Sequence, residues 1–484
     1  MNMQGGSNID QGATAVCRRS DAICGLAAFA IAFSCLGPIL GGDFVDDDFA
    51  FLLITKARAL PSFFDPFSDY GSFRPLSALV FSVLAEIGDE SPYFFHLFSL
   101  TAHAINTCLV YILIRMLGAG SAVSFSISVV YGTSRVHNYT LFVSSNLGEP
   151  LVALFCIASL ILFIVHRRGS APGYLVFSLL GFAMALLTKE SALILPLILL
   201  AYQGLQSKGM RAAGASSAAL LWPYFAIAMT YGAFLLLGSK IYALETPGYS
   251  VDVRALVSIL EIVLSAASFK RVQDVPAVIL AATALAILIV WRSGAGRQRF
   301  LLSMGVLFAI PYAPFQVVFH RAMYLPAIGI VGALVLAIVD GIARASGGTP
   351  RIATRLILAG AVVLAIVNSL QSAKEIEGFI ERSIRINRIE HLARSIPYPR
   401  DADRLIVVLD APAPNWILVG AFRYYRPLDD SPFLALERLE SDVAREALSQ
   451  GVEPLGALIR EHYDLDFSGI TVFEFRNGRY RPVR

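Results

Sequence analysis

Gly41-Gly42-Asp43-Phe44-Val45-Asp46-Asp47-Asp48-Phe49 follows directly on an apolar run at 22–41 that is long enough to cross a bilayer. Ionised carboxylates at a membrane surface are costly unless they are solvated or used, so an acidic cluster at a helix exit marks either a solvated helix end or a functional site. The rest of the chain bears on that choice. With 56% hydrophobic and 15% charged residues and a mean hydropathy of +0.64, the 484-residue chain must bury most of its length in lipid. Further apolar stretches stand at 93–117, 121–137, 147–166, 172–188, 190–205, 215–238, 276–291, 299–318, 322–343 and 355–371, which predicts an all-α polytopic membrane bundle of about 11 transmembrane helices.

Residues 72–88 are apolar but short and read as a helix lying in the interface. With that segment kept out of the membrane, the basic clusters share one side: Arg18-Arg19, Arg115, Arg167-Arg168, Lys208 with Arg211, Arg292 with Arg297 and Arg299, and Arg344 with Arg351 and Arg355. The positive-inside rule assigns that side to the cytoplasm. The N-terminus (1–21) is then cytoplasmic and the first run a retained signal anchor, while the first loop (42–92), a long loop (239–275) and the C-terminal segment (372–484) lie outside. A net charge of +3 spread over loops excludes a nucleic-acid partner, and the five cysteines, in or beside apolar segments, form no disulfide framework.

After residue 371 the composition changes. Residues 372–484 hold 16 Lys/Arg and 18 Asp/Glu in 113 residues, about twice the charged fraction of the whole chain, so this tail is soluble. It opens on an amphipathic helical pattern (Ile376, Phe379, Ile380, Ile384, Ile389, Leu392) and contains strand-like runs at Leu405–Leu409 and Gly469–Phe475. A small extracytoplasmic α/β C-terminal domain is expected.

Polar residues collect on the outside turns: the acidic cluster with Arg74, then His137, Asn138, Asn146 and Glu149, then Lys189-Glu190, then His320, Arg321 and Tyr324. The cytoplasmic turns carry ordinary basic clusters, so solvated helix ends explain this one-sided pattern poorly. His96 and His103, seven residues apart on one helix face, are too widely spaced for a zinc pair and read as a polar seam with Asn106. No P-loop, nucleophile-elbow serine or Cys-His metal signature is present.

The order Asp-Asp in the first loop, Arg74-Pro75-Leu76, His96 and His103 with Asn106, Thr188-Lys189-Glu190-Ser191, then Arg321-x-x-Tyr324-Leu325-Pro326 resembles the GT-C polyprenyl-phosphate-sugar glycosyltransferases. Within them it looks most like the O-mannosyltransferase-like branch, and the helical core followed by an outside soluble domain also looks like the bacterial lipid A aminoarabinose transferases. The resemblance covers about 42–340 and lies in the order and spacing of motifs, none of which is specific alone. It implies a donor sugar on a polyprenyl phosphate, an acceptor outside the membrane and a first-loop carboxylate as base, on Asp47 or Asp46. The resemblance places a second acidic site residue at Glu149, and Lys189, Arg321 and Tyr324 at the carrier phosphate. Arg74 either serves that charge or snorkels at the interface, and Glu149 could equally cap the helix near Pro150. No cofactor is required by this chemistry; a divalent cation, Mg²⁺ or Mn²⁺, on Asp46, Asp47 and Asp48 is the one the cluster could hold. A flippase or transporter that binds a lipid headgroup without chemistry is the alternative, although internal repeats, which favour transport, are absent from the sequence.

Overall fold

The computed structural model describes residues 19–57, 62, 64–65, 73–169, 171–206, 215–237, 253–270, 272–314, 320–345, 350–395, 404–425, 433–463, 465, 467, 469–476 and 479–483. Nineteen α-helices and one four-stranded sheet are formed among them. The helices are α1 (Arg19–Leu36), α2 (Asp48–Ala57), α3 (Pro75–Ile87), α4 (Pro92–Met116), α5 (Ser121–Gly132), α6 (Asn138–Phe142), α7 (Gly148–Arg167), α8 (Gly173–Thr188), α9 (Leu195–Gln206) and α10 (Ala215–Leu237). They continue as α11 (Val253–Ser268), α12 (Ala277–Ser293), α13 (Gly296–Ala309), α14 (Tyr324–Ala345), α15 (Pro350–Asn387), α16 (Ile389–Ser395), α17 (Asn415–Tyr425), α18 (Arg438–Gln450) and α19 (Val452–Tyr463).

Six segments among the described residues are long and apolar enough to cross a bilayer: Arg19–Gly41, Pro92–Met116, Ser144–Arg167, Ala219–Leu236, His320–Ala345 and Thr354–Ala393. Shorter apolar helices cover Pro75–Ile87, Ser121–Gly132, Gly173–Thr188, Glu190–Gly204 and Ala277–Arg292. The apolar stretches named from sequence therefore fall mainly on helix among the described residues, with 315–318 outside them, and six are long and apolar enough to cross. At 13 residues, α3 spans about 20 Å against a hydrocarbon core of about 30 Å.

Two expectations change. The segment 239–275 is not simply a loop: 239–252 lies outside the described residues, and the next stretch forms α11, which packs on α13 and α14. Its Ile262, Val263 and Ala266 are buried while Leu256, Val257 and Leu260 face outward, an amphipathic stripe that average hydropathy does not reveal. The break at residue 372 is one of composition and not of backbone. Helix α15 runs through it for 38 residues without interruption, because Lys374, Glu375, Glu377, Glu381 and Arg382 are good helix formers and α15 simply exchanges an apolar surface for a charged one.

Helix α4 lies at the centre, packed on α1, α5 and α7. The basic residues gather at one end of the bundle. There Arg115 bonds Asp21 at 2.9 Å, Arg168 donates to the Met116 carbonyl, and Arg297 bridges Asp340 at 2.9 Å and the Gly118 carbonyl. The acidic loop and the tail lie at the other end.

The tail is a small α/β unit. Strands β1 (Arg404–Leu409), β2 (Phe433–Ala435), β3 (Gly469–Arg476) and β4 (Arg479–Pro482) are ordered β2-β1-β3-β4. β1 is parallel to β2 (Ile406 opposite Phe433) and to β3 (Leu409 opposite Glu474), and β4 is antiparallel to β3. Alternation along β1 separates two cores: Ile406 and Val408 pack with Ile417, Leu418 and Phe422 of α17, whereas Leu405, Val407 and Leu409 pack with Leu448, Leu455 and Ile459 of α18 and α19.

Close packing of α13 on α14 sets the helix that follows Arg321. A Cβ on Gly329 would lie 2.2 Å from the Leu301 carbonyl and 2.5 Å from the Gly305 nitrogen, so this crossing requires glycine. Gly329→Val is therefore expected to cost about 1–3 kcal/mol by overpacking and to lower the thermal midpoint of the purified protein. Gly341→Ala on the same helix, where a Cβ meets nothing within 4 Å, is expected to leave it unchanged. Thermal unfolding in detergent measures both.

Candidate functional site

The turn Gly37–Gly41 ends α1 and delivers the acidic loop onto α6. A Cβ on Gly42 would lie 2.5 Å from the Phe142 ring, so only glycine lets the backbone pass there. The carboxylates then diverge. Asp43 accepts the N–H of Phe44 at 2.8 Å. Asp46, left-handed at φ 49°, accepts the Tyr139 hydroxyl at 2.6 Å and Arg382 at 2.8 Å. Asp48 opens α2 and is fully buried, accepting the N–H groups of Val45 at 3.0 Å and Ser145 at 2.7 Å. Burial pushes its carboxyl up to about 7 against the pull of those N–H donors.

The carboxylate of Asp47 is tied to none of these partners. Burial pushes it above the ordinary range, the Arg321 guanidinium pulls it back down, and the adjacent Asp46 adds to the rise. Arg321 donates to the Asn146 amide oxygen at 3.2 Å. Asn146 before α7 and Arg321 before α14 thus meet, and Asp47 of the first loop lies within electrostatic reach of Arg321, although the three come from distant parts of the sequence.

Deeper in the bundle, Lys189 donates to Glu149, whose second oxygen accepts the Tyr312 hydroxyl at 2.7 Å. Glu149 and Lys189 are both buried, and the Lys189 ammonium stands 5.1 Å from the Tyr312 ring centroid. Beside them Arg74 is paired with Glu190, its Nε 2.8 Å from Oε2. Repulsion from Arg74 and Arg321 reaches the Lys189 ammonium, so these three cations lie within electrostatic reach of one another. Two of the four residues assigned to the donor phosphate, Lys189 and Arg74, already hold a carboxylate.

Tyr324 lies within electrostatic reach of Glu149, but its hydroxyl bonds elsewhere. It is fully buried, its hydroxyl 2.6 Å from His103 Nδ1 and 3.2 Å from Asn106 Nδ2. Nε2 of His103 is 3.0 Å from the Gly132 carbonyl and Asn106 donates to the Pro150 carbonyl at 2.8 Å. This is a polar seam joining α4, α5, α7 and α14. Of the three carboxylates named for a cation, Asp46 and Asp48 serve different partners, and among the described residues no group of three His, Cys, Asp or Glu side chains that could hold a metal ion is found.

No protein-family model and no curated protein sequence matches the chain. Solved structures do. The aminoarabinose transferase ArnT from Cupriavidus metallidurans, in its apo state, aligns over 94% of this chain and 92% of its own at a TM-score of 0.52 and 12% identity. The apo oligosaccharyltransferase of Archaeoglobus fulgidus aligns over 93% of this chain and 69% of its own at a TM-score of 0.50 and 11% identity. The chain shares the fold of these two proteins.

Within that fold, sequence reasoning left out Tyr139, Arg382 and Tyr312, and named Asn146 without giving it a role. Tyr139 and Tyr312 sit in or beside apolar helices, where a tyrosine carries no distinguishing signal. Arg382 lies in a charged helix that reads as solvated.

Tyr324→Phe separates a seam residue from a donor ligand. Loss of the hydroxyl leaves buried His103 and Asn106 groups short of a partner, which costs about 1–3 kcal/mol. The thermal midpoint is expected to fall while turnover per folded molecule stays near the wild-type value. A large drop in donor affinity at unchanged stability would return Tyr324 to the donor site.

Proposed function

We propose that the protein is an integral-membrane glycosyltransferase that moves a sugar from a polyprenyl monophosphate carrier to an acceptor on the far side of the membrane. The observation that carries this reading is the electrostatic pull of Arg321, which is bonded to Asn146, on the half-buried carboxylate of Asp47. A carboxylate and a cation within reach of one another, on a fold shared with ArnT, is what displacement at an anomeric carbon needs. The proposal includes eleven crossings, a cytoplasmic N-terminus and an extracytoplasmic tail, which put the basic clusters inside.

In this mechanism the acceptor oxygen or nitrogen attacks the anomeric carbon and the bond from that carbon to the phosphate oxygen breaks. Asp47 takes the acceptor proton, for which a carboxyl above the ordinary range is better matched to neutral pH than a fully solvated one. The leaving polyprenyl phosphate gains negative charge, which Arg321 stabilises from a fixed position. A single displacement inverts the configuration. Lys189, held in place by Glu149, turns its ammonium toward the phosphate, and Arg74, held by Glu190, adds a second cation beside it. No step passes through a metal ion.

Asp47→Asn is expected to lower transfer by about 10²- to 10⁴-fold while the protein still binds polyprenyl phosphate. Arg321→Ala is expected to weaken donor binding and to slow transfer by about 10²-fold or more. Reconstituted protein with a polyprenyl-phosphate sugar measures both, and mass spectrometry of surface glycans with and without the protein identifies the acceptor. Full turnover of Asp47→Asn would transfer the base role elsewhere. Movement of lipid-linked sugar across vesicles without any glycosidic product would favour a flippase.

A further inference from the structure

Three side chains of α15, beyond the apolar stretch 355–371, reach the acidic loop. Arg382 binds Asp46 at 2.8 Å, the Ser383 hydroxyl receives the Asp43 N–H at 3.3 Å, and Asn387 donates to the Phe44 carbonyl at 2.9 Å. The tail adds a second hold. Tyr425 of α17 donates to Asn387 at 2.9 Å, and its ring stands 6.3 Å from that of Phe49, one residue past Asp48. Helix α17 also packs on α2. The loop on which Asp47 sits is thus gripped on both flanks by residues from the far end of the chain.

The geometry points to Arg382 as a positioning residue: by binding Asp46 across the loop it fixes the backbone turn that presents Asp47 and neutralises the charge beside it. This gives the tail a role in the proposed reaction, and it rests on the reading of Asp47 as base. The strained turn is the reason a tether is needed. A left-handed conformation at the non-glycine Asp46 is unfavourable and persists only where surrounding contacts over-determine it, here the Tyr139 hydroxyl and the Arg382 guanidinium.

The groups around Asp47 are Asp46 and Asp48 on its own turn, Arg321 and His320 from the turn before α14, Tyr139 from α6 and Arg382 from α15. In that set Asp46 disfavours ionisation of Asp47 and Arg321 favours it, while Arg382 acts through its ion pair with Asp46. Removing Arg382 leaves the Asp46 charge uncompensated, so Asp47 holds its proton to higher pH. Removing the Asp46 charge leaves Arg382 unpaired, so Asp47 loses its proton at lower pH.

The test uses the full-length protein in nanodiscs with Arg382→Gln, Arg382→Lys and Asp46→Asn. The acid limb of the pH-rate profile is expected to move up by about half a unit in Arg382→Gln and down by a similar amount in Asp46→Asn, with Arg382→Lys close to wild type. A merely structural contact would lower the plateau rate of both variants without moving their limbs in opposite directions. Hydrogen exchange of amides 43–48 is read in parallel and needs no activity: Arg382→Gln is expected to raise it at least tenfold and Arg382→Lys to restore protection. Unchanged exchange in Arg382→Gln, or limbs that shift the same way in both variants, overturns the inference. If wild-type protein transfers no sugar, the proposed function fails while the exchange experiment still decides whether Arg382 holds the loop.

Discussion

Charge at the edge of a bilayer has to be compensated, and that constraint organises the end of this molecule where the acidic loop lies. A buried ion stripped of water is tolerated only when paired and hydrogen-bonded. Glu149 with Lys189, Arg74 with Glu190 and Asp46 with Arg382 each meet that requirement through partners distant in sequence. Each pair also clamps two elements together. Glu149 opens α7 and Lys189 follows α8; Arg74 precedes α3 and Glu190 begins the turn before α9; Asp46 precedes α2 and Arg382 lies on α15. The charges that look like a catalytic inventory in one dimension are, in three, mostly the ties that bring the helix ends into register.

Asp47 and Arg321 stand at the centre of that arrangement. Arg321 bonds Asn146 and pulls on the Asp47 carboxylate, which links three chain segments at the end where the acidic loop lies. That convergence is the physical ground for assigning the chemistry to them. The division of labour within the Asp triplet follows the same logic: Asp46 holds the turn, Asp48 closes α2 onto the 144–146 turn through backbone N–H groups, and the residue between them is presented outward by its neighbours.

Much of this was legible in the sequence, and for definite reasons. Apolar runs report helices directly because lipid leaves no other way to satisfy the backbone, and the gathering of Arg115, Arg168 and Arg297 at one end could be read from loop charge. Strands β1 and β3 were visible as β-branched runs. Other features had no one-dimensional signal. Helix α11 hid in a loop because its apolar residues occupy one face only. The run of α15 past residue 372 was masked by a composition change to which a helical backbone is indifferent. Tyr324 followed Arg321 in a motif, but the first turn of α14 points it inward to His103 and Asn106. The partners of the acidic triplet could not be read at all, since Tyr139 and Arg382 are separated from Asp46 by 93 and 336 residues.

The central claim is that Arg321, within reach of Asp47, receives the phosphate of a lipid-linked sugar. An electron cryo-microscopy map of the full-length protein in nanodiscs with bound polyprenyl monophosphate tests it most directly. The account predicts phosphate density beside the Arg321 guanidinium with Asp47 nearby and the prenyl chain leading into the bilayer. Phosphate bound elsewhere, with Arg321 turned to bulk water and remote from Asp47, would contradict it.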